Sequence, residues 1–261
     1  MPKKTLRRRV RDGELVKGVM VFECFTPGVA TLARLAGAEY VLYDMEHSGL
    51  AIETLKALVA TCRGLRVAPM ARVPRGEYHL LAPALDVGCH GVMVPMVEGA
   101  EQARTIVDAT RYPPTGRRGA AFGFAHDDYE GGDVGKKIKM LDARNVVIAQ
   151  IETERGLENV EAIAAVEEID VLWVGHFDLT NFLGIPAQFD NPRYLQALKR
   201  IIQAARKHGK GLGFMATDAG WSTRYHRLGF NMLAGGTDQA ILVKGWKDIL
   251  APLGQKSRPA R

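Results

Sequence analysis

The sequence predicts an α/β fold, a single (β/α)8 TIM barrel with a long loop after the fourth strand–helix unit. Short apolar, β-branched runs alternate with longer stretches of helical period almost from end to end of the 261 residues. Eight such pairs can be counted, as a closed parallel barrel requires. The competing doubly wound sheet lacks its signature, because FECFTPG rather than a GxGxxG stands after the first run.

Strands are expected at 17–23, 39–44, 66–72, 91–96, 146–152, 170–175, 211–216 and 231–235. They are apolar along most of their length, as parallel strands buried on both faces should be. Helices are expected near 29–37, 51–62, 77–87, 99–110, 156–166, 193–208, 218–228 and 238–250. Residues 1–11 read as a short helix closing the barrel bottom, with Leu6 and Val10 inward, and 255–261 as a frayed end. The one long irregular connection, 112–142, is expected to fold over the barrel mouth. No linker divides the chain, so 1–261 is read as one barrel domain with basic segments at 1–11 and 255–261.

A hydrophobic content of 47% is enough for a substantial core. No long uncharged apolar run is present, and the start, MPKKTLRRRVRDGE, lacks the apolar stretch of a secretory signal. Cys24, Cys62 and Cys89 are unevenly spaced with no CxxC pair, which suits the reducing cytoplasm rather than disulfides or a thiolate metal site. The net charge of +6 belongs to the ends. Without the six cations of 1–11 and the three of 256–261, residues 12–255 stand at −3. Solvated termini, and no nucleic-acid partner, are the expectation.

In such a barrel the C-terminal strand ends surround the active site. Here the second strand ends in Asp44-Met45-Glu46-His47, the third in Arg72 and the fifth in Gln150-Ile151-Glu152. The sixth ends in Gly175-His176-Phe177-Asp178 and the eighth in Gly235-Gly236-Thr237-Asp238. Glu152 and Asp178, on adjacent strands, suggest a divalent cation, with Mg2+, Mn2+ or Co2+ suited to hard oxygen ligands. The same carboxylates would also serve as rim groups paired with arginine. His47 is a candidate general base or metal ligand, with Glu46 or Asp44 setting its tautomer; a hydrogen-bonded surface role is the alternative. Arg72 ends an apolar strand and needs an anion, either a neighbouring carboxylate or a substrate oxyanion. His126, in the long loop, is a candidate for touching substrate, and the Gly235-Gly236 pair for cradling a phosphate. Lys17 and Lys210 lie at strand starts and no strand ends in lysine, so carbanion chemistry here needs a metal rather than a Schiff base.

These residues resemble the HpcH/HpaI family of class II pyruvate aldolases over nearly the whole chain. The motifs are YDMEH at 43–47, PMAR at 69–72, LDVGCHGVMVPMV at 85–97 and RYPPTGRRG at 111–119. QIET at 150–153, GHFDL at 175–179 and AGGTD at 234–238 complete them. The resemblance implies an aldolase that joins or cleaves pyruvate, or a hydroxypyruvate-like 2-oxo acid, and an aldehyde. It implies a metal held by Glu152 and Asp178, with Gln150 beside it and the Gly175–Asp178 turn, including His176 and Phe177, binding substrate through backbone N–H groups. Arg72 would stabilise the enolate, and His47, supported by Asp44, would move the proton of the aldol hydroxyl. A homotrimer or homohexamer with exchanged C-terminal helices is implied as well. The apolar stripe Ile241, Leu242, Trp246, Ile249 and Leu250 suits that docking or an ordinary eighth barrel helix.

Two departures stand out. His176 and Phe177 replace the proline and alanine of many relatives, which is expected to bring an imidazole near the metal. The acidic, aromatic loop at 120–135 is expected to serve a dianionic acceptor poorly. A citryl- or malyl-CoA-type lyase on the same barrel is the alternative activity, and a non-catalytic ligand-binding barrel the alternative from another class.

Overall fold

A computed structural model describes residues 4–254. Its sheet is a closed barrel in sequence order, β1 to β8, with every neighbouring pair parallel. The strands are β1 (Val16–Val21), β2 (Tyr40–Asp44), β3 (Ala68–Arg72), β4 (Gly91–Val94), β5 (Val146–Ile151), β6 (Val171–Val174), β7 (Gly211–Ala216) and β8 (Met232–Thr237). Each lies within a few residues of its expected position.

The helices before the long connection are α1 (Leu6–Arg11), α2 (Val29–Leu35), α3 (Ile52–Thr61), α4 (Tyr78–Asp86) and α5 (Ala100–Thr110). After it come α6 (Val134–Arg144), α7 (Glu154–Glu158), α8 (Val160–Ala164), α9 (His176–Phe182), α10 (Pro192–Lys207), α11 (Ala219–Leu228) and α12 (Asp238–Leu250). The single helix expected over 156–166 is thus two short ones meeting at Asn159. Helices α6 and α9 were not foreseen in the sequence.

Strand alternation sorts the core into two layers. Tyr40, Leu42, Met70, Met93, Ile148 and Trp173 fill the barrel, while Val41, Val92, Val147, Leu172, Leu212 and Phe214 pack outward against the helices. Gly213 faces Trp173 so closely that a Cβ there would collide with the indole, so small and large residues alternate around the interior.

Three expectations change. The 112–142 connection lies at the N-terminal end of the barrel, not over its mouth. It leaves a helix and leads into a strand, and helices in this topology return the chain to the bottom. A 3-10 turn (Ala125–Asp127) and α6 order it. Arg63, just past α3, donates to the Ala125 carbonyl at 3.0 Å and pairs with Asp128 at 3.0 Å.

Of the described N-terminal cations, Arg7, Arg9 and Arg11 are held in ion pairs rather than solvated. Helix α1 closes the bottom with Val10 buried, as expected. Its Arg7 pairs with Glu168 (2.6 Å) and Asp170 (2.8 Å), and Arg11 pairs with Asp170 (2.6 Å). Arg111 reaches the same fully buried Asp170 at 3.0 Å. These arginines neutralise carboxylates that would otherwise be buried without a partner. The end segment 255–261 lies outside the described residues.

Helix α12 is no ordinary eighth barrel helix. None of its residues is buried, and Trp246 and Ile249 are 59% and 71% exposed.

Candidate active site

The register of β2 against β3 places Asp44 opposite Arg72 at the C-terminal rim. Both side chains follow inward-facing residues, Leu42 and Met70, by the two-residue strand period. Arg72 Nε donates to Asp44 Oδ1 at 2.5 Å, and Arg72 Nη1 lies 3.2 Å from Glu46 Oε2. The guanidinium also sits over the Phe22 ring, 5.3 Å from its centroid. The buried Arg72 therefore has its anions within the chain.

Asp44 does not touch the imidazole of His47. Its second oxygen accepts the His47 backbone N–H at 2.8 Å. The imidazole is largely exposed, and its neighbour is Glu46, with Nε2 3.6 Å from Oε2. Glu46 thus stands between Arg72 and His47. Burial pushes its carboxyl up, with Asp44 and Asp178 adding to the rise and Arg72 opposing it.

Across the mouth, Ile148, Gln150 and Glu152 follow one face of β5. Glu152 Oε1 accepts the Met96 N–H at 2.8 Å, and Gln150 Nε2 donates to Glu152 Oε2. Met96 takes a positive φ of 53°, which is uncommon for a residue with a Cβ, and that turns its N–H toward the carboxylate. Burial, reinforced by Asp178 and Glu46, pushes Glu152 up to about 7 against the two hydrogen bonds. Gln150 Oε1 is buried without a donor. Gly175 closes this side, because a Cβ there would run into the Glu152 carboxylate and the Gln150 amide.

Glu46, Glu152 and Asp178 therefore share one field, and each raises the cost of ionising another. Among the described residues no three His, Cys, Asp or Glu side chains come close enough together to hold a metal ion, although carboxylates beside an unpaired amide oxygen have the donor chemistry of a divalent-cation site. Arg72 ends β3 and His47 follows β2, at the end of the barrel where Glu152 follows β5. Among the described residues no strand ends in lysine: Lys17 lies at the start of β1, and Lys210 precedes β7, bonded to the carbonyls of Val166 and Glu167 at 2.9 and 2.8 Å.

A family model described as HpcH/HpaI aldolase/citrate lyase matches residues 19–244. The chain belongs to that family. It is 32% identical over 253 residues to a hydroxypyruvate/pyruvate aldolase of Roseobacter denitrificans, covering 96% of this chain and 97% of the relative. It is 35% identical over 207 residues to a 5-keto-4-deoxy-D-glucarate aldolase of Klebsiella pneumoniae, covering 79% and 80%. Among solved structures, an HpcH/HpaI aldolase from Desulfitobacterium hafniense superposes with a TM-score of 0.92 at 26% identity, covering 98% of this chain and 99% of that one.

In this HpcH/HpaI barrel the side chains of the Gly175–Asp178 turn do not all face the mouth. The His176 ring packs on Phe177 (4.6 Å), Phe214 (4.8 Å), Phe189 (5.4 Å) and Trp221 (5.4 Å) in the layer between sheet and helices. Burial lowers it to about 4, so it is neutral at pH 7, and it brings no imidazole to the carboxylates. Phe177, half-exposed, meets the Phe189 ring edge-on. The Gly175 N–H is engaged by the Ile151 carbonyl at 3.3 Å. Helix α9 begins at His176, so the N–H groups of His176, Phe177 and Asp178 have no partner within it.

His126 lies at the far end of its own chain's barrel, buried, with its carbonyl bonded to Arg144 at 2.7 Å. The glycine pair is no phosphate cradle either. Gly235 is paired inside β8 with Ala216 of β7. Asp238 beyond it accepts the N–H groups of Phe22 (2.9 Å), Glu23 (3.1 Å) and Cys24 (2.6 Å), which fixes the β1–α2 loop and seats Phe22 under Arg72. Glu46 is the charged residue that sequence reasoning underused, since DMEH displayed it. The roles of the Met96 N–H and of Phe22 depend on loop conformation and left no sequence signal.

Proposed function

We propose that this aldolase joins or cleaves pyruvate, or a hydroxypyruvate-like 2-oxo acid, and an aldehyde, using a divalent metal. The observation that carries the reading is Arg72, fixed between Asp44 and Glu46, with the Glu46 carboxyl in turn in the field of Asp178 and adding to that on Glu152. Glu152 and Asp178 would hold Mg2+, Mn2+ or Co2+, with Gln150 beside them. Such a cation, when bound, supplies the electron sink for the 2-oxo group.

In the cleavage direction His47 takes the proton of the aldol hydroxyl. The carbon–carbon bond breaks, the aldehyde leaves, and its electron pair becomes the enolate of the 2-oxo acid. Arg72 donates to that enolate oxygen from a position preorganised by Asp44. Free N–H groups at the start of α9, those of His176, Phe177 and Asp178, suit the substrate carboxylate, while Gly175 supplies space rather than a donor. The relatives' names favour this reading over a citryl- or malyl-CoA-type lyase. The charged site argues against a non-catalytic barrel.

A homotrimer or homohexamer with exchanged C-terminal helices accounts for α12. Its apolar residues Leu242, Trp246, Ile249 and Leu250 are exposed, while a groove of ≈ 550 Å3 lies between α2 and α11, lined by Leu15, Val19, Ala38, Leu233 and Ile241 of α12 itself. No described helix is long and apolar enough to cross a membrane, and the free thiols of Cys24, Cys62 and Cys89 suit a cytoplasmic protein.

The test is to strip the protein with a chelator, restore single metals, and screen aldehydes against pyruvate and hydroxypyruvate, with CoA thioesters as the rival arm. Activity should vanish on chelation and return with Mg2+, Mn2+ or Co2+. Borohydride with pyruvate should leave the enzyme active, and covalent trapping on a lysine would overturn the metal reading.

A further inference from the structure

We propose that the cavity at the N-terminal end of the barrel binds an organic oxyanion with an apolar body, a phosphate ester or carboxylate, at a site separate from the catalytic mouth. The cavity measures ≈ 670 Å3 and opens beneath β2 and β3, bounded by α1 and the 3-10 turn. That volume is in the range of small-molecule sites. Four arginines reach it, Arg9, Arg63, Arg66 and Arg144, together with His90. Only two carboxylates do, and both are engaged: Glu39 by Arg9 at 2.5 Å, and Asp128 by Arg63 at 3.0 Å.

Arg66 and Arg144 are left without an ion-pair partner among the described residues. Arg144 donates from Nη2 to the His126 carbonyl, but its buried Nε has no acceptor. A guanidinium withdrawn from water with a donor unused is costly, and an oxyanion removes that cost. Burial, helped by Arg144, lowers His90 to about 3; burial also lowers Arg144, with Asp128 opposing that shift and Arg118 adding to it. Neutral His90 is free to donate one hydrogen bond. Val59, Leu65, Val67 and Pro69 form the intervening wall, which has no use for a bare inorganic ion and fits a flat or branched apolar group. Ligand here would brace α1, the α3–β3 loop and α6 at the stability face of the barrel.

Isothermal titration of the intact, metal-loaded protein at fixed ionic strength tests this, with phenyl phosphate, benzoate, inorganic phosphate and phenol as probes. We expect one phenyl phosphate or benzoate per chain, the better of the two naming the anion. Inorganic phosphate and phenol should bind at least tenfold more weakly. Arg66→Gln, at an exposed position, and Arg144→Gln should each weaken binding at least tenfold, and saturating pyruvate should not displace the probe. Equal affinity for inorganic phosphate, unaffected by either substitution, would mean an adventitious ion only and overturn the proposal. Displacement by pyruvate would do the same, by placing the probe at the mouth.

Discussion

Asp44 holds Arg72 by its side chain and His47 by its backbone. One oxygen accepts Arg72 Nε at 2.5 Å and the other the His47 N–H at 2.8 Å, and the carboxylate itself is wholly buried. The imidazole is left to Glu46. This divides the work of the two carboxylates differently from a simple Asp–His dyad, and the division can be tested.

Removing Asp44 leaves a buried guanidinium with one weaker partner. Asp44→Ala should destabilise the protein by about 3–5 kcal/mol, the usual penalty for breaking a buried pair. Urea unfolding monitored by circular dichroism gives the value. A loss under about 1 kcal/mol would mean that Glu46 or water carries Arg72 unaided.

Glu46→Gln should change stability little, because Arg72 keeps Asp44. Its effect should be on the orientation of His47, lowering aldol kcat at least about tenfold while KM for pyruvate moves little. Exchange of pyruvate methyl protons should fall less than aldol turnover. An equal fall in both, with weakened metal binding, would assign Glu46 to the metal instead.

Arg72 and His47 separate in the same exchange experiment. Arg72→Lys should depress both aldol turnover and methyl exchange by about 10²–10³, since lysine cannot reproduce the planar fork at the enolate oxygen. His47→Ala should depress aldol turnover and spare much of the exchange, because pyruvate alone has no aldol hydroxyl. Deuterium incorporation followed by NMR at saturating metal decides the matter. If His47→Ala abolishes exchange as fully as Arg72→Lys, His47 is the enolising base.

The pH dependence of metal-free stability follows from Glu152. Its carboxyl is raised on folding from 4.5 to about 7, so its protonated form is favoured in the folded chain. Stability from this group is complete below the unfolded value and is lost as pH rises through about 7. The loss is roughly 3 kcal/mol at 1.36 kcal/mol per pKa unit. Metal binds the carboxylate form and should reverse the loss, so apparent affinity for Mn2+ should climb with pH up to about 7 and then level off. Calorimetric titration from acid to neutral pH measures it. A flat profile would remove Glu152 from the ligand set.

The apolar runs alone determined the barrel. Eight segments buried on both faces, separated by helix-period stretches, have few other ways to hide their surface. The two-residue period also brought Asp44, Arg72, Gln150 and Glu152 to one rim, because a strand leaves no freedom about which face a residue takes. The place of the 112–142 connection was implicit in that order as well, since a helix-to-strand link must lie at the bottom, although its length suggested a lid.

What only the tertiary structure decided concerns side chains at helix and loop positions, where rotamer and neighbour choose the direction. His176 turns into an aromatic layer assembled from Phe189, Phe214 and Trp221, residues distant in sequence. Arg7 and Arg11 look like solvated charge until the fold sets the buried Asp170 against them. Glu46 becomes the link between Arg72 and His47 only once the turn after β2 folds back over β3. Helix α12 carries an apolar stripe that in sequence suits either docking on a neighbour or an eighth barrel helix, yet none of its residues is buried, and only packing distinguishes the two. Periodicity tells which residues share a face; only packing against the rest of the molecule tells what that face meets.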